Sequence, residues 1–74
     1  MKKYSISIFF PCYNEEQNIT RVTMDAIRVA KRISDDYEII IVNDGSTDRT
    51  GEIAEELARK NQGVRVIHHE VNKG

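Results

Sequence analysis

Seventy-four residues make one domain at most, and a chain this short buries a thin core that usually leans on disulfides, a metal or a partner chain. The single cysteine, Cys12, excludes an internal disulfide framework, and a net charge of -1 gives no basic field to draw in a nucleic-acid backbone. No apolar run approaches the ~20 residues of a membrane span, and the basic start with apolar residues 6–10 meets Pro11, Asn14, Glu15 and Glu16 too soon to be a signal peptide. A free cysteine without an export signal points to the cytoplasm, or to the cytoplasmic face of a membrane.

The elements alternate along the chain. Residues 5–10 read as a strand, rich in β-branched and aromatic side chains, which Pro11 is expected to end. Residues 14–33 read as a helix. Ile19, Val22, Ala26, Ala30 and Ile33 repeat at three- and four-residue spacing, Asn14 with Gln17 fits a capping box, and Glu15 and Glu16 fall where a first turn favours negative charge. Residues 38–43 read as a second strand whose continuous Ile39-Ile40-Ile41-Val42 suits burial on both faces of a parallel sheet.

Gly45 and Ser46 make a turn into a second helix over 48–61. Ile53, Ala54, Leu57 and Ala58 form its inner side, and Glu55 with Arg59 and Glu56 with Lys60 its outer pairs. Gly63 suits a left-handed C-terminal cap, and residues 64–69 form a third strand. This β-α-β-α-β order predicts an α/β fold: half of a doubly wound, Rossmann-like parallel sheet with right-handed crossovers and spatial order 3-2-1. The first strand is then an unsatisfied edge through which the chain is expected to self-associate.

Ligands of open α/β sheets bind beyond the carboxyl ends of the strands, where residues 11–15 and 43–46 fall. Tyr13, Glu15 and Asp44 therefore come to one rim. An aromatic face stacks on a base, and carboxylates accept from an imide N–H or from ribose hydroxyls. Each signal alone has a plainer reading: Asp44-Gly45-Ser46 as an Asx turn, Glu15 and Glu16 as dipole partners, Tyr13 as a packing aromatic. The absence of GxGxxG after the first strand argues against a dinucleotide site. His68 and His69, being adjacent on a strand, point to opposite faces and do not form a metal site. Cys12 reads as a small loop residue without a neighbouring base.

The stretch Ile8-Phe9-Phe10-Pro11-Cys12-Tyr13-Asn14-Glu15-Glu16, followed by residues 38–50 with Asn43-Asp44-Gly45-Ser46-Thr47-Asp48, resembles the opening of glycosyltransferase family 2, the GT-A-fold group that includes dolichol-phosphate mannosyltransferases. The resemblance covers essentially the whole chain. It implies that residues 1–74 are the N-terminal, nucleotide-binding part of a truncated glycosyltransferase domain. It further implies that Tyr13 stacks near the base, Pro11 shapes that loop, Glu15 holds the nucleoside and Asp44 bonds the base edge. Asn43 departs from the family, many members of which have Asp there, so a carboxylate role at that position is in doubt.

The implied parent enzyme is an inverting glycosyltransferase that moves a glycosyl group from a nucleoside-diphosphate sugar to a polyprenyl phosphate or a glycan. It is expected to use a divalent metal, Mn or Mg, whose ligands lie outside this segment, and to associate with a membrane. The competing reading is a non-catalytic α/β nucleotide-binding or interaction module complete at this length.

Overall fold

A computed structural model describes residues 5–70. The elements are β1 (Ser5–Cys12), α1 (Ile19–Ile33), β2 (Asp36–Asp44), α2 (Thr50–Lys60) and β3 (Val64–His69). The three strands form one parallel sheet in the order β1-β2-β3. The expected alternation and the central place of the second strand both hold. Crossovers of one hand in one direction set both helices on the same face.

That face carries the core. Ile39 and Ile41 of β2 pair in register with Ile8 and Phe10 of β1, and with Val64 and Val66 of β3. Ile19, Ile27 and Ala30 of α1 and Ala54 and Leu57 of α2 close over them. The opposite face has no helix among the described residues, so Ile40 and Val42 are only half-buried. Phe9 beside Ile40 is 70% exposed. The double burial expected from the apolar run 39–42 is thus met on one side.

Several boundaries differ from the sequence expectation. Pro11 does not end β1, which continues through Cys12. An edge strand tolerates proline because half of its N–H groups face away from the neighbour. Cys12 consequently belongs to the core rather than to a loop. The first helix begins at Ile19 instead of residue 14, so Asn14 and Gln17 form no capping box, and Glu15 and Glu16 precede the first turn.

The buried stripe of α1 is Ile19, Thr23, Ile27 and Ala30, whereas Val22 and Ile33 are exposed. Both stripes obey helical spacing, and the one that faces β2 is buried. On α2, Thr50, Ala54 and Leu57 are buried, Glu56 pairs with Lys60 at 3.3 Å, and Glu55 reaches across to His68. Gly63 is not in the left-handed region, Gly45 being the glycine that is. Its lack of a side chain serves packing instead, because a Cβ there would stand 2.8 Å from the Tyr37 ring.

Candidate functional site

Cys12 lies opposite Asn43 in the β1–β2 register. Tyr13 and Asp44 therefore leave neighbouring strands at one level, at the carboxyl end of the sheet. The loops that follow are tied to each other as well as to their own helices. Asn14 adopts φ 52°, a conformation that asparagine tolerates better than most residues. Its Oδ1 accepts from the amides of Thr47 at 2.8 Å and Asp48 at 3.3 Å. Its own amide donates to the Ser46 hydroxyl at 3.0 Å. Next along the chain, the Glu15 amide donates to Thr50 Oγ1 at 2.7 Å and the Glu16 amide to Asp48 Oδ2 at 3.3 Å. The Arg49 amide returns a bond to Glu16 Oε1 at 2.9 Å. The two loops form a reciprocal clasp.

Asp48 anchors the clasp at the start of α2, where its Oδ1 accepts from both the amide and the hydroxyl of Thr50. Partial desolvation pushes its carboxyl pKa upward, but the bonds from Thr50 and from the Glu16 amide outweigh that effect and hold it below the ordinary carboxylate value. Burial, and then the negative charge of Glu15, push the Cys12 thiol up, which favours the inert protonated form. The sequence reading took Asn14 as a helix cap and Ser46 as a turn residue, and gave neither them nor Asp48 and Thr50 a role between the loops. The available signal was an asparagine placed to take a left-handed turn opposite a Ser-Thr-Asp-x-Thr loop.

The four expected site residues occupy this end of the sheet. Pro11 and Glu15 line a cleft of about 240 Å³ with Phe10, Cys12, Ile19 and Val22. The Tyr13 side chain is 57% exposed. Asp44 is exposed and meets His69 Nδ1 at 3.1 Å on the helix-free face. His68 points to the helix side, where it meets Asn43 and Glu55, so the two histidines do diverge. A larger hollow of about 380 Å³ lies at the opposite end of the strands. There Glu38 is already engaged by Ser7 and Arg65, and that end is not where open α/β sheets receive ligands.

The profile of glycosyl transferase family 2 matches residues 7–74. The chain belongs to that family. It is 44% identical over 63 residues to the uncharacterized glycosyltransferase EpsJ of Bacillus subtilis (strain 168), an overlap covering 85% of this chain and 17% of the relative. It is 36% identical over 62 residues to the undecaprenyl-phosphate 4-deoxy-4-formamido-L-arabinose transferase of Edwardsiella ictaluri (strain 93-146), covering 84% and 19%. It is 38% identical over 69 residues to the glycosyltransferase GlyG of Streptococcus pneumoniae, covering 93% and 22%. The chain thus spans about a fifth of the length of these curated relatives.

Among the described residues no group of three or more His, Cys, Asp or Glu side chains is placed to hold a metal ion. They do not fit the divalent cation that the family resemblance implies. No helix among them is long and apolar enough to cross a membrane.

Proposed function

We propose that this segment is the nucleotide-recognising part of an inverting glycosyltransferase with a GT-A fold. The reaction is transfer of a glycosyl group from a nucleoside-diphosphate sugar to a polyprenyl phosphate or a glycan. The observation that carries the reading is the clasp, which fixes the loops bearing Tyr13, Glu15 and Asp44 at adjacent strand ends. Tyr13 offers a ring face for the base, Asp44 accepts from the base edge, and Glu15 accepts from the sugar hydroxyls. Pro11 holds the wall of the cleft that Glu15 shares.

The charge of the rim supports this division of labour. Glu15, Glu16, Asp44 and Asp48 repel a diphosphate but accept readily from imide and hydroxyl donors. The rim thus suits the nucleoside end of the donor. In this reading the diphosphate, its Mn or Mg partner, and the acceptor are held by residues outside 1–74, and the enzyme works at the cytoplasmic face of a membrane. The undecaprenyl-phosphate relative supports a polyprenyl-phosphate acceptor.

The test is calorimetric titration with UDP and GDP. Asp44→Ala strands the donors of the base and should weaken binding by about 1–3 kcal/mol. Unchanged affinity in Asp44→Ala removes Asp44 from the site.

A further inference from the structure

Asn43 sits in a hydrogen-bond relay outside the proposed donor contacts. Asn43 is 8% exposed at the helix-facing end of β2. Its Oδ1 accepts from the Ser46 amide at 3.4 Å, and its Nδ2 lies 3.0 Å from His68 Nδ1. A backbone N–H can only donate, so Ser46 fixes which way round the amide sits. Nδ2 must then donate to the ring, and Nδ1 must accept. In that arrangement Nε2 carries the ring proton, directed at Glu55. Gly51 of α2 leaves room for the pair: a Cβ there would stand 2.9 Å from Asn43 Nδ2 and 3.6 Å from His68 Cε1.

We infer that His68 and Asn43 form a protonation switch on the turn that carries Asp44. When Nδ1 takes a proton from solvent, its N–H confronts the Asn43 NH2 group. The amide relieves the clash by turning over, so that Oδ1 accepts from the imidazolium. Nδ2 then faces the Ser46 N–H, and the Ser46 bond is lost. Glu55 partners the ring in both states. Ser46 also receives the Asn14 amide in the clasp and follows Gly45, whose φ is 73°, so its release loosens the turn next to Asp44. His69 lies at the same turn but on the other face, paired with Asp44. The link to the nucleotide rests on the donor site proposed above; the link between ring and amide does not.

Two-dimensional NMR of the 15N-labelled 74-residue chain, titrated with acid, tests the switch. At high pH the His68 ring should be the Nε2–H tautomer. As His68 protonates, the Ser46 amide should shift and its exchange protection should fall about five-fold, as for one lost hydrogen bond. His68→Gln keeps an acceptor for Asn43 but gains no proton, so the Ser46 response should vanish. Asn43→Asp accepts from both Ser46 and an imidazolium, so the Ser46 amide should stay bonded and protected throughout the acid titration.

A Ser46 amide indifferent to His68, or a response that survives in His68→Gln, overturns the switch. In parallel, affinity for GDP-mannose and UDP-glucose should drop about five-fold across the same pH window, and should not do so in His68→Gln. A Ser46 response without a change in affinity overturns the coupling to Asp44 and leaves the hydrogen-bond switch standing.

Discussion

The clasp between the two rim loops makes a sharp prediction at Asn14, because two separable effects meet in one residue. Its backbone is left-handed, at φ 52°, and its Oδ1 accepts from Thr47 and Asp48. Asn14→Ala removes the acceptor and puts a Cβ-bearing residue without side-chain compensation into the left-handed region, which costs roughly 1 kcal/mol. The two bonds from backbone amides, beside a longer one from the Thr47 hydroxyl at 3.4 Å, are solvent-accessible and compete with water, so each contributes about 0.5–1 kcal/mol, the lower part of the usual range. Asn14→Gly removes the same bonds while relieving the backbone penalty.

The expected losses are therefore about 2–3 kcal/mol for Asn14→Ala and about 1–2 kcal/mol for Asn14→Gly. Urea denaturation of the three chains, followed by circular dichroism, measures both. At about 4–8 °C of melting temperature per kcal/mol for a domain of this size, the alanine variant should melt some ~10–20 °C lower. Equal stability of the two variants would refute the strain at φ 52°. A glycine variant as stable as the unmodified chain would refute any contribution from the bonds.

Asp48 should give the chain an acid-sensitive limb: its folded pKa is depressed, so its contribution is full above the ordinary carboxylate range and is lost as pH falls through the depressed value. Asp48→Asn should flatten that limb in a pH series of melts. Thr23→Val should stabilise the chain by about 1 kcal/mol, since the buried Thr23 hydroxyl has no hydrogen-bond partner among the described residues; an unchanged or lower melting temperature would point to a water reaching it. The open edge of β1 and the exposed Phe9 should make the 74-residue chain self-associate in sedimentation, and Phe9→Lys should reduce this. The 74-residue chain should transfer no sugar in assays with UDP- and GDP-sugars, Mn or Mg and polyprenyl-phosphate acceptors, because positioning of the acceptor and neutralisation of the leaving group each supply several kcal/mol of catalysis. Turnover abolished by Asp44→Ala would show catalytic groups within these residues.

The sequence periodicity was enough to place every element, because hydrophobic spacing and turn residues act locally. It was weaker where a tertiary contact chose between two legal patterns. On α1 the stripe through Ile19, Thr23 and Ala30 competes with the one through Val22 and Ile33, and only the position of β2 selects the first. Asn14 and Gln17 match a local capping box, yet bonds to Thr47 and Asp48, more than thirty residues away, hold Asn14 out of the helix. Gly63 looked like a cap, but its constraint is the Tyr37 ring. At the candidate site the strand ends were readable and the cross-loop bonding was not.

That bonding changes how substitutions at the rim should be interpreted. Asn14 and Glu16 from one loop, and Ser46, Asp48 and Thr50 from the other, each hold a group of the opposite loop. Removing one member leaves partners that must find water or shift. Effects at Asn14 and Asp48 should therefore be non-additive, unlike those of two distant sites. The same linkage gives Asp44 and Tyr13 a common frame: neither sits on a loop free to move alone, so a loss of nucleotide affinity in an Asn14 or Asp48 variant reports the frame. Direct contact is read only where the melting temperature stays put and affinity falls, as is expected of Asp44, whose exposed carboxylate meets His69 and is no member of the clasp.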